Sequence, residues 1–533
     1  MDSFNATDYL VHRHVRDGAG DRPAVVCADR TLTYRELADE VDVVAAGLTA
    51  LAVGPEDRVA FCMADGIELL TGILAAMRIG AVPVPMSTMA TGPELGAMVA
   101  DCRARVLCAS AEFTEVARVA VAAAPEVVDV VLDGARSEPG RWRAGVTIRW
   151  WGYLRSDWPV RSPYDTWTES PALWLYTSGT TGRPKGAMHR HGSVRDVAEL
   201  YGIGVLGIEP GDRCLSVPKL FFAYGLGNSA FFPLAAGATT ILERSRPTPA
   251  LMASLAATSR PTLFFGVPTF YSALLNSDVP DDSFSSVRQG VSAGEPLPAV
   301  LFNRFRERFG VEVLDGLGST EALHIFLSNR PGQVHPGSSG TPVGGYRVEI
   351  RDEQGAPVES PGEPGDLYLS GPSVATGYWC RTQTTRAVFQ GEWLRTGDTY
   401  VRNEDGTYTC LGRSDDMLKA GGIWVSPAEV EARLLEHPAV AEVAVVAGRD
   451  ADGLDKPIAC VVPMSDAAVD PDELVRWCRE GLAAYKRPRA VVRVTELPKT
   501  ATGKIRRNVL RELVADELVV RPAAAVDPPA VLT

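Results

Sequence analysis

The 533-residue chain lacks the marks of several common function classes. Its nine cysteines are scattered and form no Cys-x-x-Cys pair. That spacing offers neither a zinc ribbon nor a disulfide framework and suits a reducing compartment, so a cytoplasmic protein is expected. Basic residues fall short of acidic ones, 53 against 66, and the net charge of −13 repels phosphate backbones. A general nucleic-acid binder is thereby excluded. Long apolar runs are missing too. Arg78 interrupts the run from Leu69 to Pro85, and no membrane-spanning helix is expected. Met1-Asp2-Ser3-Phe4-Asn5 has no basic stretch leading into an apolar core, so no signal peptide is expected. No solenoid-type repeat is found.

What is present is an ordinary globular composition, 46% hydrophobic and 22% charged, on a chain too long for one hydrophobic core. Two or more domains are expected. Residues 31–133 alternate helix and strand patterns. Thr33 reads as a helix N-cap followed by Leu37, Val41, Val44 and Leu48 at helical spacing. Arg58–Met63 reads as a buried strand, Ile67–Ile79 as a helix ended by Gly80, and Ala81–Pro85 as the next strand. The pattern recurs between Cys214 and Glu243 and between Leu263 and Val291. This alternation implies parallel sheet with helices on its faces, an α/β fold. Character changes near Gly412-Arg413-Ser414-Asp415-Asp416. Beyond it the pattern reads helix (427–436), strand (440–447), strand (457–463), helix (471–484), strand (490–495), then a loop and a helix (505–516). Ser426-Pro427 is an N-cap followed by proline at the first helical position. The stretch after Leu518 has no periodicity and is expected to be disordered.

Four segments carry chemistry. An apolar run leads into Tyr176-Thr177-Ser178-Gly179-Thr180-Thr181-Gly182-Arg183-Pro184-Lys185-Gly186. Its glycines allow close backbone approach, and its N–H groups, hydroxyls and lysine are phosphate donors. It contains no G-x-x-x-x-G-K-[ST] sequence. Alone, it also reads as a Gly/Ser/Thr linker. Asp315-Gly316-Leu317-Gly318-Ser319-Thr320-Glu321 places a threonine and a hard carboxylate on a glycine-rich turn, which suits nucleotide and Mg²⁺. Equally, it suits a solvated helix start. Trp393-Leu394-Arg395-Thr396-Gly397-Asp398 reads as an apolar strand ending in a Gly-Asp corner, where a carboxylate accepts ribose hydroxyls or serves a turn. Leu497–Ile505 is a hydroxyl-rich loop with Lys499 and Lys504 ahead of a helix. A lysine there neutralises developing charge or stays solvated.

In this order, from residue 176 to 504, the four segments resemble the adenylate-forming superfamily of acyl-CoA synthetases, amino-acid adenylation domains and luciferases. The resemblance covers nearly the whole chain. It implies a large N-terminal ATP- and acid-binding domain (1–412) of mixed sheets flanked by helices, a hinge (413–416) at Asp415, and a mobile C-terminal α+β lid domain (417–517), before the tail (518–533). It implies that Thr177, Ser178, Gly179, Thr180, Thr181 and Lys185 meet pyrophosphate, that Glu321 holds Mg²⁺, and that Thr320 meets phosphate. Asp398 and Arg413 are then the ribose contacts, and Lys504 serves the α-phosphate in adenylation. Gly294, Glu295, Asp315, Gly316 and Leu317 are carried over to ATP or AMP, with Leu317 standing where an aromatic residue is common. Gly421, Gly422 and Trp424 would line a tunnel for the pantetheine arm of coenzyme A; the glycine pair also reads as a simple turn.

Lys219–Asn228 and Gly318–Asn329 resemble benzoate–CoA ligases in particular. That likeness puts Phe222, Ala223, Tyr224, Gly318, His324 and Lys419 at an acyl pocket for a small aromatic acid. The implied activity is an aryl-CoA ligase using ATP, Mg²⁺ and coenzyme A. The alternative is an aryl-acid adenylating enzyme that loads a separate carrier protein. No carrier segment follows Lys504, which leads us to expect free CoA or a separate carrier. Arg449, Lys456, Lys486 and Arg487 read as partners for CoA phosphates or as a solvated face. Oligomeric state stays open, a homodimer included.

Overall fold

The computed structural model describes residues 3–134, 142–178, 184–414, 418–420, 423–449, 455–464, 470–483, 486–499 and 505–514. Gly179, Thr180, Thr181, Asp415, Gly421, Gly422, Lys504 and the tail lie outside these residues. The fold is mixed α/β and divides into two compact units. The larger comprises 1–297, 301–349 and 368–396, and the smaller 298–300, 350–367 and 397–533.

In the larger unit, five strands form an all-parallel sheet in the order Val82–Pro85, Arg58–Cys62, Val106–Ser110, Asp129–Asp133, Thr147–Trp150. Strand Val106–Ser110 is buried along its whole length, as a strand covered on both faces must be. A second, nine-stranded sheet has a parallel centre. Thr239–Leu242, Arg213–Ser216, Leu263–Gly266, Gln289–Ser292 and Val313–Gly318 run alongside one another. Its two ends turn antiparallel, through Arg30–Thr33 on one side and Ile325–Ser328 with Thr341–Pro342 on the other. Asp315, Glu321 and His324 sit at the second end, while Thr177 and Lys185 lie on a separate two-stranded hairpin.

Local chemistry sets the helix starts. Thr33 Oγ1 accepts from the Glu36 N–H at 3.2 Å while the Glu36 carboxylate accepts from the Thr33 N–H at 2.8 Å. This reciprocal cap opens helix Tyr34–Ala50, whose Leu37, Val41, Val44 and Leu48 are wholly buried. Near the end of that helix, Gly47 lies against helix Trp151–Leu154. A Cβ on Gly47 would stand 2.3 Å from the Leu154 carbonyl oxygen and 2.4 Å from its Cα. Backbone cannot retreat as a side chain does. Gly47→Ala is therefore expected to destabilise the protein by about 3 kcal/mol, the upper range for overpacking, measured as a lowered urea midpoint.

In the smaller unit, Val440–Arg449, Asp455–Pro463 and Ala490–Arg493 form a sheet, antiparallel then parallel. Helices Pro427–Leu435, Pro471–Gly481 and Arg507–Val514 bury Val430, Leu434, Leu474, Cys478, Leu510 and Val514 against it. Ser426 Oγ caps the first, accepting from the Glu429 N–H at 3.3 Å. The second ends before 484 because Leu482 is extended and buried. One sequence expectation changes outright. Strand Trp393–Arg402 does not stop at a Gly-Asp corner but runs through it. Strand Tyr408–Arg413 pairs along it and puts Arg413 opposite Asp398, and Gly397, at φ +76°, absorbs the bend within the strand.

All nine cysteines are free thiols. Seven are buried, Cys410 is partly covered, and Cys380 is exposed. Among the described residues, no helix is long and apolar enough to cross a membrane.

Candidate active site

A hairpin carries Thr177 and Lys185. Strands Pro171–Ser178 and Pro184–Arg190 pair antiparallel with Thr177 opposite Lys185, so the loop springs from a two-stranded base. One carboxylate ties that base down. Asp101 accepts from the Tyr176 hydroxyl at 2.7 Å and from Arg381 Nη2 at 2.7 Å, and its carbonyl accepts from Trp379 Nε1 at 2.9 Å.

Glu321 follows the strand Val313–Gly318 in a single turn, Thr320–Ala322. Ser319 Oγ opens the turn by accepting from the Ala322 N–H at 3.1 Å. Its carbonyls are held from outside. His189 Nε2 donates to Thr320 O at 2.8 Å, Ser373 Oγ to Ala322 O at 2.6 Å, and the Ala375 N–H to Glu321 O at 2.8 Å. The Glu321 carboxylate, partly exposed, accepts from the Tyr378 hydroxyl at 2.6 Å. Lys185 Nζ stands 4.5 Å from the centroid of the same tyrosine ring. The structure thus brings Lys185 and Glu321, distant in sequence, onto one aromatic residue. Sequence reasoning passed over Tyr378, because Gly377-Tyr378-Trp379 carries no signal beyond buried aromatics.

An aromatic wall surrounds His324. Its ring lies 4.4 Å from Phe232 edge to face, 5.4 Å from Tyr224 and 5.5 Å from Tyr201. Tyr224 donates to Val291 O at 3.1 Å, and Phe222, Ala223 and Tyr224 are only partly covered. His324 Nε2 meets two acceptors, Tyr224 O and Asn228 Oδ1, each at 3.2 Å. The proton is therefore assigned to Nε2, and Nδ1 is a buried acceptor with no partner. Two glycines permit this closeness. A Cβ on Gly318 would press on His324 backbone at 2.7 Å, and one on Gly227 would stand 2.3 Å from His324 Cδ2.

Asp315 lies on strand Val313–Gly318, in register with Ser292. It is buried, and its Oδ1 is unpartnered. Burial pushes its pKa well above the usual carboxylate value, against the pull of the Leu297 and Gly316 N–H groups. Gly294 turns the chain after Ser292 at φ +95°. Leu317 and Thr320 are partly exposed.

In the smaller unit, Arg413 Nη1 donates to Asp398 Oδ1 at 2.9 Å, and Ser414 Oγ donates to Asp366 Oδ1 at 2.7 Å. Lys419 pairs with Trp424 in the hairpin of Leu418–Ala420 and Ile423–Val425. Lys486 is paired with Glu429 at 2.6 Å, and Arg487 Nε is engaged by Leu482 O at 3.0 Å.

Burial also sets a pH dependence. His189 and His191 are pushed down to about 4 and His324 to about 3, in each case first by desolvation. In the unfolded chain an imidazole takes up its proton below about pH 6.5, while these buried rings stay neutral to far lower pH. The unfolded state therefore binds more protons in that window. The contribution of these histidines is full above pH 6.5 and falls as pH drops toward 3, by about 2 kcal/mol per histidine at pH 5, against the opposite slope of the raised Asp315 carboxyl. Urea midpoints measured from pH 7 to 4.5 check this, and His191→Gln is expected to flatten the slope by one proton.

Residues 11–379 match the AMP-binding enzyme family, and residues 429–504 match the AMP-binding enzyme C-terminal domain. The chain belongs to the AMP-binding enzymes. This AMP-binding enzyme is 43% identical to a benzoate–CoA ligase of Thauera aromatica, over 95% of this chain and 96% of that protein. It is 39% identical to a 4-hydroxybenzoate–CoA/benzoate–CoA ligase of Rhodopseudomonas palustris, over 98% and 97%. Among solved structures, a benzoate CoA ligase from Burkholderia xenovorans superposes with a TM-score of 0.88 at 40% identity, covering 95% of this chain and 100% of that one. An anthranilate CoA ligase in complex with anthranoyl-AMP gives 0.90 at 38% identity, over 96% and 97%.

Proposed function

We propose that this AMP-binding enzyme is an ATP-dependent aryl-CoA ligase for a benzoate-type acid. The observation that carries the reading is the aromatic wall of Tyr201, Tyr224, Phe232 and His324 in the same unit as Lys185 and Glu321. A flat ring is well matched by aromatic edges and faces, and the wall is neutral because burial keeps His324 unprotonated. The relatives named as CoA ligases of benzoate and hydroxybenzoate support this choice, being covered almost end to end.

The chemistry has two halves. A carboxylate oxygen of the acid attacks the α-phosphorus of ATP, the bond to the β-phosphate oxygen breaks, and pyrophosphate leaves. The CoA sulfur, having lost its proton, then attacks the acyl carbon, and AMP leaves. Little covalent work falls to the protein; positioning and charge neutralisation carry the rate. Thr177 and Lys185 serve the pyrophosphate side. Asp398, braced by Arg413, accepts ribose hydroxyls, and the unpartnered Asp315 Oδ1 suits the base. Lys504 serves the α-phosphate; its part rests on the Thr502-Gly503-Lys504 sequence.

Among the described residues, no cluster of three or more His, Cys, Asp or Glu side chains could hold a metal. One carboxylate, Glu321, fits Mg²⁺, which takes one or two carboxylates and completes its shell with phosphate oxygens and water. When bound, the ion supplies charge neutralisation on the phosphates.

The test is mass detection of acyl-CoA after incubation with MgATP, CoA and a pooled panel of benzoates, phenylacetates, cinnamates and medium-chain fatty acids. A benzoyl-type CoA is the expected product, and its mass identifies the ring substituents. Acid-dependent pyrophosphate release without a CoA product would overturn the CoA half and make a carrier protein the acceptor.

A further inference from the structure

We infer that Tyr378 is a positioning residue that aligns the carboxylate of Glu321 and the ammonium of Lys185 on the metal–pyrophosphate side of the site. The inference rests on the reading of Glu321 as the Mg²⁺ ligand.

Tyr378 is 4% exposed, yet its buried ring bears on both charged groups. The hydroxyl donates to Glu321 Oε1 at 2.6 Å. The ring face lies under Lys185 Nζ at 4.5 Å, within cation–π range. The backbone around it is zipped to the Lys185 strand. Thr376 N–H donates to Met188 O at 2.9 Å, Met188 N–H to Gly377 O at 3.0 Å, and Trp379 N–H to Gly186 O at 2.9 Å. Tyr378 N–H donates to Thr385 Oγ1 at 3.0 Å, and Phe389 packs edge-on against the ring at 5.3 Å. Three residues upstream, Ala375 N–H holds the Glu321 carbonyl at 2.8 Å. The segment 375–379 is therefore fastened to both functional elements, and Tyr378 is where its side chain meets their charges.

Physically, a lone carboxylate on a single short turn rotates freely about its last torsion. A hydroxyl on one oxygen fixes that rotation and leaves the geometry of the other constant for a metal. Outer partners of this kind tune metal affinity by about 10- to 100-fold. The ring also carries negative charge on its face, which holds the Lys185 ammonium at one height over the site without neutralising it.

The test separates hydroxyl from ring. Manganese(II) binding, read by electron paramagnetic resonance in the presence of the non-cleavable α,β-methylene analogue of ATP, needs no turnover. Tyr378→Phe keeps the ring and is expected to weaken Mn²⁺ binding about 10-fold while leaving the KM for the aryl acid at saturating Mg²⁺ unchanged. Tyr378→Leu is expected to weaken binding of the analogue measured in EDTA as well, because Lys185 loses its support. In Glu321→Gln, adding Tyr378→Phe is expected to cost nothing further. Unchanged Mn²⁺ binding in Tyr378→Phe, or additive losses in the double variant, would overturn the inference. If the parent makes no acyl-CoA but the Mn²⁺ pattern holds, the activity reading fails and the positioning role stands. If Glu321→Gln binds Mn²⁺ as the parent does, the metal-ligand reading of Glu321 falls and the positioning role with it, while the activity reading is still decided by acyl-CoA formation.

Discussion

Glu321→Gln is expected to lose acid-dependent ATP–pyrophosphate exchange by about 100- to 1,000-fold, the cost of removing one pre-aimed electrostatic group from a transition state. The substitution is nearly isosteric, so it isolates the charge. The turn that carries Glu321 is gripped through backbone carbonyls by His189, Ser373 and Ala375, and none of these contacts involves the carboxylate. Folding is therefore expected to be undisturbed, with a urea midpoint matching the parent. Tyr378 can still donate to the carboxamide oxygen. What disappears is the negative charge available to a divalent ion, with no second cluster of acidic or imidazole ligands nearby to replace it among the described residues. Raising Mg²⁺ concentration should recover part of the rate. A variant with full exchange activity at ordinary Mg²⁺ would remove Glu321 from the metal site.

Gly227→Ala is expected to strike the acid rather than the nucleotide. The added methyl would stand 2.3 Å from His324 Cδ2, 2.6 Å from its Nε2 and 3.0 Å from Phe232 Cζ. No real Cβ tolerates such distances, so the imidazole must swing away and give up its contacts with Tyr224 O and Asn228 Oδ1. Overpacking of about 1–3 kcal/mol, expressed at the pocket, corresponds to a rise in KM for the aryl acid of about 5- to 150-fold. ATP binding measured by calorimetry is expected to stay within about twofold, since an uninvolved site gains or loses little. A variant that loses ATP and acid binding together would mean that the His324 wall does not serve the acid alone. Larger residues at 227 should be worse in order of size, a trend that a general folding defect at this site would not confine to one substrate.

Much of this was legible in the residues. The Thr33 and Ser426 caps, the helix–strand alternation and the burial of Leu37, Val41, Val44 and Leu48 follow from local chemistry and spacing. The order of the chemistry-bearing segments pointed to the family. Tertiary pairing overrode one local reading: Gly397-Asp398 has the composition of a corner, but Tyr408–Arg413 pairs along it and keeps it in strand. Contacts between distant parts of the chain were invisible. Tyr378 acts on Glu321 across 57 residues, and Asp101 holds Arg381 across 280. No periodicity or motif encodes such meetings; they depend on how the 375–381 segment lies along the Lys185 strand. Likeness alone puts His324 at the acyl pocket, and its neutrality follows only from its burial.

The distribution of thiols has a practical consequence. Seven cysteines are shut in the core, and Cys380 is exposed two residues beyond Tyr378. Under limiting maleimide the native protein should therefore take up dye at Cys380 first, with no engineering. A fluorophore there would stand beside the segment that links Lys185 to Glu321. Arrival of nucleotide could then be followed in real time as a change in brightness, on the unaltered sequence.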